Sequence, residues 1–168
     1  DDASCQMTSH APEGYDCPFC AVVQGAEKDG VATKQVDIVH QTDLLTAFVS
    51  SHQWPANPGH VLIVPNGHVE NLYELPSEWA EPFQAATQLL ARALKKAFDC
   101  PGISTRQHNE PAGGQDVWHY HVHVFPRFEG DELYGSDRQR VSEDVRSKQA
   151  EQIRRALKIL EEREYGEE

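Results

Sequence analysis

The chain has 168 residues, of which 39% are hydrophobic and 25% charged, with 11 Gly and 10 Pro; this suits one globular domain with a real core and excludes collagen-like or disordered bias. With 15 Lys and Arg against 27 Asp and Glu the formal net charge is −12, a surface that repels phosphate backbones and argues against polymeric nucleic acid as a partner. No apolar run reaches the roughly 18–20 residues of a membrane span, and Asp1 and Asp2 do not open a basic, apolar leader, so a cytoplasmic protein without a membrane partner is expected.

In chain order, residues 1–16 mix Ser, Thr, Pro, Gly and charge without periodicity and read as a flexible arm. Cys17 and Cys20 form a C-x-x-C, whereas Cys5 and Cys100 stand alone. Four cysteines are too few for a disulfide framework; in a reducing compartment the pair reads as a metal half-site or a redox dithiol. Residues 36–40 and 44–50 read as two strands joined by a turn at 41–43. A turn-rich connection at 54–59 leads into the apolar run 60–64, whose lack of alternation predicts a strand covered on both faces and ended by Pro65.

Between 77 and 98 the period lengthens. Trp79, Phe83, Ala86, Leu90, Leu94 and Ala97 recur at three- and four-residue steps, predicting an amphipathic helix of about six turns with Pro82 tolerated near its start. Residues 102–107 read as a strand and 111–114 as a tight loop. A second helix is predicted at 142–163, with Val145, Gln149, Ile153, Ala156, Leu157 and Leu160 on one face and a solvated, charged face opposite. One α+β domain is the simplest organisation.

From Trp118 to Val124 the alternation is strict: Trp118, Tyr120, Val122 and Val124 on one side, His119, His121 and His123 on the other. On a strand the apolar set faces a core and the three imidazoles share the opposite face, about 6.5–7 Å apart. Imidazole serves as nucleophile, proton carrier or metal ligand near neutral pH. The neighbouring Gly113 and Gly114 let backbone N–H groups approach an anion, which points to phosphate chemistry. A metal-binding histidine cluster is the competing reading.

His119-Tyr120-His121-Val122-His123-Val124-Phe125 resembles the His-φ-His-φ-His-φ-φ signature of the histidine triad (HIT) nucleotide-binding and hydrolase proteins. Ala47-Phe48, Pro58-Gly59-His60-Val61-Leu62, Val64-Pro65 with His68, and Gly114-Gln115 follow in the family's order, so the resemblance runs from about Cys17 to Arg127. It implies an α+β fold with an antiparallel sheet of about five strands, a long and a shorter helix, and a homodimer. The domain would span 17–130, with 131–168 a C-terminal helical extension packed on it.

The implied activity is cleavage at the α-phosphate of a nucleoside polyphosphate, dinucleoside polyphosphate or phosphoramidate through a nucleotidyl-histidine. His121 would be the nucleophile, and His123 would hold the phosphate. The Gln115 side chain would position the phosphate or leaving group, while N–H groups around Gln115–Val117 stabilise its charge. His52, His108, Asn109, Gln115 and His123 would contact the nucleotide, expected to be a purine. Zinc-containing bacterial relatives further imply a structural zinc on Cys17, Cys20, His68 and His119, with His68 opening a His-x-x-x-Leu-x-Glu-Leu stretch.

Three positions depart from the pattern. His52 stands where Asn or Asp reaches the ribose, His108 where Asn or Gln contacts substrate, and Asp116 where Ser or Thr is common. An acid at Asp116 is unfavourable beside phosphates unless its side chain turns away. The alternatives are a nucleotide-binding regulatory module with little turnover, a nucleotidyltransferase or phosphorylase of the same superfamily, and a zinc-scaffolded interaction protein that binds no nucleotide.

Overall fold

Two apolar runs, Leu45–Val49 (β2) and Val61–Pro65 (β4), are buried at every position and fix the architecture. The computed structural model describes residues 8–164. β2 and β4 pair antiparallel, flanked by Ile38–Gln41 (β1), Val122–Arg127 (β6) and Gly102–Gln107 (β5), in a five-stranded sheet ordered β1-β2-β4-β6-β5. Because side chains alternate across a strand, the two runs supply two cores. Ala47, Val49, Val61, Ile63 and Val124 pack against Ala80–Phe98 (α2) and Glu143–Glu164 (α3) through Leu90, Leu94, Ile153 and Leu157. On the other face Phe48, Leu62 and Val64 meet Cys17, Phe19 and Val22, the last two on a short helix, Pro18–Val23 (α1). A two-stranded sheet, His52–Gln53 (β3) with Gln139–Arg140 (β7), completes the fold.

The α+β fold and five-stranded sheet are as expected, and the strand at 102–107 and the long helix fall where periodicity places them. Other boundaries move. Residues 35–37 form a 3-10 turn, so the first strand starts at Ile38. The cause is Asp37: it is fully buried and takes the Lys34 N–H at 2.8 Å and the Arg146 Nε at 3.0 Å, donors that a regular strand would not bring to it.

The histidine strand begins only at Val122; residues 117–119 are bent, and Tyr120 N–H is diverted to the Val69 carbonyl at 2.7 Å. Gly113 closes the preceding loop so tightly that a Cβ there would run into the Asn109 carbonyl. Neither α1 nor the β3–β7 pair is predicted by periodicity.

The second helix also differs from its predicted face. Val145 is exposed and Ala150 buried, while Arg146, assigned by charge to the solvated side, is buried. α3 lies on the helical face of the sheet, opposite the histidines. Residues 1–7 of the expected arm, including Cys5, lie outside the described residues. The remainder is tied down rather than loose: the Glu70 carboxylate accepts from Ser9 Oγ at 2.6 Å, His10 N at 3.1 Å and Ala11 N at 3.0 Å, and His10 stacks on Trp118.

Candidate functional site

The unpaired stretch before β6 and the face of the sheet covered by α1 position the three histidines differently. All three are buried. His119 turns away from the other two, toward α1. Its Nε2 lies 2.9 Å from the Pro65 carbonyl, which can only accept, so Nε2 carries the proton and the Nδ1 lone pair is free. That lone pair converges with Cys17 Sγ at 3.3 Å, Cys20 Sγ at 3.5 Å and His68 Nδ1 at 3.1 Å. The four ligand atoms lie within 4.8 Å of one another. Two imidazole nitrogens facing each other between two sulfurs are the donor set and spacing of a closed tetrahedral metal site, for which about 3.3–3.8 Å between donors is expected. The carbonyl on the outer nitrogen is the usual orienting partner of a ligating histidine. Burial and the neighbouring Cys17 push the Cys20 thiol up to about 12, a cost that a bound dication would offset.

His121 Nδ1 donates to the His119 carbonyl at 2.7 Å, so in the neutral ring Nε2 keeps its lone pair. Phe19 lies edge-on against this ring, 5.2 Å between centroids. His121, His123, Phe19, Leu62 and the exposed His52 share a cavity of about 260 Å³. His123 Nδ1 is 2.8 Å from Nε2 of His60, whose own Nδ1 is buried without a partner. A buried orphan acceptor costs less than a buried orphan N–H, so His60 Nε2 donates to His123 Nδ1. His123 then presents its Nε2–H as a donor. Burial and the charge on Arg138 push His60 down to about 3; burial and His60 likewise lower His123.

Asp116 does not turn away. Its Oδ1 lies 3.5 Å from His121 Nε2, and its Oδ2 accepts from Arg138 Nη2 at 2.9 Å. These two contacts, His121 first, hold its carboxyl well below the usual carboxylate range.

Gln115 is turned into the protein. Its Nε2 donates to the carbonyls of Glu70 at 2.6 Å and Val117 at 3.0 Å, and its Oε1 accepts from Glu110 N at 2.9 Å. The expected catalytic amide therefore braces the loop. Its main-chain N–H is also taken, by the Glu110 carbonyl at 3.0 Å. Among the described residues none accepts from the N–H of Asp116 or Val117, so the expected set of amides shrinks to those two. Asn109 is likewise consumed, bonding Leu72 N and the Gln107 amide. His108 donates from Nδ1 to the Gly113 carbonyl at 2.8 Å, and its ring sits 5.8 Å from that of His123.

The residues missed from the sequence are Phe19, Arg106 and Arg138. Arg106 alternates along β5 onto the face of His123, its cross-strand partner, and that signal was available. Arg138 stands in a segment without pattern, and nothing local announces it.

The family model for the HIT domain matches residues 32–130. Protein hit of Bacillus subtilis is 32% identical over 121 residues, 72% of this chain and 77% of that protein. Adenylylsulfatase HINT3 of Arabidopsis thaliana is 28% identical over 138 residues, 82% of this chain and 66% of that protein. The crystal structure of a zinc-bound histidine triad family protein from Mycobacterium smegmatis superposes with a TM-score of 0.72 at 27% identity, covering 87% of this chain and 96% of that one. Fold, histidine order and sequence agree, and the chain belongs to the HIT family.

Proposed function

We propose that this protein cleaves nucleotides at the α-phosphorus through a nucleotidyl-histidine on His121. The observation that carries the reading is the 2.7 Å bond from His121 Nδ1 to the His119 carbonyl, which in the neutral ring leaves the lone pair on Nε2, the nitrogen that Asp116 Oδ1 faces at 3.5 Å. HIT proteins bind nucleotides, and a relative named as an adenylylsulfatase fits a nucleotidyl transfer to water. In the first step the Nε2–P bond forms as the bond from phosphorus to the leaving group breaks. In the second, water forms the P–O bond as Nε2–P breaks, releasing a nucleoside monophosphate, passing its proton to solvent and returning the electron pair to Nε2. His123 Nε2–H donates to a phosphoryl oxygen, and the Asp116 and Val117 N–H groups serve the same developing charge. His52 and Phe19 line the part of the cavity that takes the nucleoside, expected to be a purine. His108 faces the phosphate side, and Gln115 acts as a positioning residue for the loop.

Cys17, Cys20, His68 and His119 fit structural zinc: two thiol sulfurs and two Nδ1 atoms with no room left for substrate. Zinc bound there supplies rigidity, by fixing α1 and Phe19 against His121. Phosphorus attack needs the Nε2 lone pair, so Asp116 must leave that nitrogen as substrate enters. That contact favours a second reading, a nucleotide-binding module with little turnover.

His121→Ala separates them. It should bind adenosine monophosphate with the wild-type melting profile and lose nucleotide cleavage by at least about a thousandfold. Comparable release of monophosphate by both proteins would contradict the enzymatic reading.

A further inference from the structure

Arg138 and Arg106 share one aromatic ring. The Arg106 guanidinium lies 5.0 Å from the Trp54 centroid and that of Arg138 5.5 Å from the same centroid. Between them opens a second cavity, of about 210 Å³. Trp54, Arg106, His108 and Gly114 line only this cavity, whereas Asp116, His123 and Arg138 line both it and the cavity of Phe19 and His52. Arg138 is neutralised by Asp116, while no carboxylate among the described residues pairs with Arg106. With Arg138 matched by Asp116, the Arg106 cation on the indole gives this cavity, in a chain of net charge −12, a local field opposite to that of the whole molecule.

An in-line displacement sends the leaving group away from the attacking nitrogen. With the nucleoside against Phe19, the second cavity is the space that adjoins the first across His123, Asp116 and Arg138. We infer that this cavity is a subsite for an oxyanion leaving group, a phosphate chain or a sulfate, with Arg138 exchanging Asp116 for that anion and Arg106 supplying the second charge. The inference rests on the nucleotidyl-transfer reading and narrows its substrate class to nucleotides that leave an acidic oxyanion. As the P–O bond breaks, its electron pair stays on the departing oxygen, and the two guanidiniums donate N–H to that charge. An amine leaving group departs neutral, after taking up a proton, and gains nothing from them.

The test compares kcat/KM for adenosine 5′-phosphosulfate, diadenosine tetraphosphate and adenosine 5′-phosphoramidate in the wild type, Arg106→Gln, Arg138→Gln and the double variant. The ratio of either oxyanion substrate to the phosphoramidate should fall about tenfold per arginine. Arg106→Lys and Arg138→Lys, which keep a point charge, should recover most of that ratio. A loss confined to the phosphosulfate assigns sulfate, and one confined to the tetraphosphate assigns a phosphate chain. Ratios unchanged within about twofold, or equal losses on all three substrates, overturn the subsite; taking the ratio removes any effect of a freed Asp116 common to all substrates. If the wild type cleaves none of the three, the nucleotidyl-transfer reading fails instead. The subsite is then decided by calorimetric titration of inorganic tripolyphosphate. Binding present in the wild type and lost in the double variant upholds it, and any other pattern overturns it.

Discussion

His60 is fully buried, stacked on Trp54 with centroids 5.4 Å apart, and its Nε2 meets His123 Nδ1 at 2.8 Å. Burial and the nearby arginine charges hold its pKa near 3 in the native state, against about 6.5 once unfolded. Unfolding therefore takes up a proton whenever the pH lies between those values. The stability this group contributes is complete above about pH 6.5 and is lost as pH falls toward 3, at about 1.4 kcal/mol per pH unit. Denaturant unfolding at pH 7, 6 and 5 should show a shallower loss in His60→Gln than in the wild type, by about that slope. Identical slopes would contradict a neutral, buried His60. The Pro58-Gly59-His60 motif places this residue in the family pattern, but only the fold brings its ring against His123. Gln115 and Asp116 teach the same lesson in opposite senses. The amide expected to meet substrate is spent on main-chain carbonyls, and the acid read as unfavourable beside phosphates faces the nucleophile.

At the scale of elements, the six-residue α1 is far too short to be stable alone. It is held by Phe19 and Val22 in the core and by Cys17 and Cys20 on His68 and His119. This is why α1 escaped the periodicity that revealed the two long helices: its anchors are non-local. The two-residue strands β3 and β7 escaped for the same reason, since His52 pairs with Arg140 across most of the chain. The grouping of Cys17, Cys20, His68 and His119, by contrast, follows from the resemblance, because C-x-x-C, His68 and the first triad histidine each carry a recognisable spacing, and the fold brings the four together. Cys17→Ser should reduce zinc from about one ion per chain to a small fraction and lower the melting temperature by about 10 °C, as expected for roughly 3 kcal/mol or more in a chain of this length. Metal analysis by plasma mass spectrometry beside a thermal melt checks this. Unchanged zinc content would place the ion elsewhere.

For the whole molecule, the C-terminal helix explains how a segment outside the HIT match reaches the site. Arg146 enters the core with its Nε 3.0 Å from Asp37, and its other nitrogens donate to the Val141 and Ala32 carbonyls at 2.6 and 2.8 Å. Gln53 Nε2 donates to Gln149 Oε1 at 2.7 Å and Gln149 Nε2 donates back to Gln53 Oε1 at 3.2 Å. α3 thereby fixes β3 and, through it, β7 and the approach of Arg138. Removing the guanidinium strands the buried Asp37 charge, so Arg146→Ala should cost about 3–5 kcal/mol in denaturant unfolding; a loss below about 1 kcal/mol would contradict that clamp. The charge pattern of the helix concealed this, because an arginine buried for a distant carboxylate looks like its solvated neighbours. Sheet, long helices and triad were legible because their signals are local and periodic, whereas the second cavity depends on residues that only the complete fold brings together.

Cleavage through His121 requires a covalent bond between its Nε2 and phosphorus. Intact-protein mass spectrometry after brief incubation with a nucleoside phosphoramidate or a diadenosine polyphosphate, wild type beside His121→Ala, tests it most directly. A nucleotidyl adduct is expected on the wild type alone. An adduct of equal yield on His121→Ala, or none on the wild type while substrate is still cleaved, would contradict it.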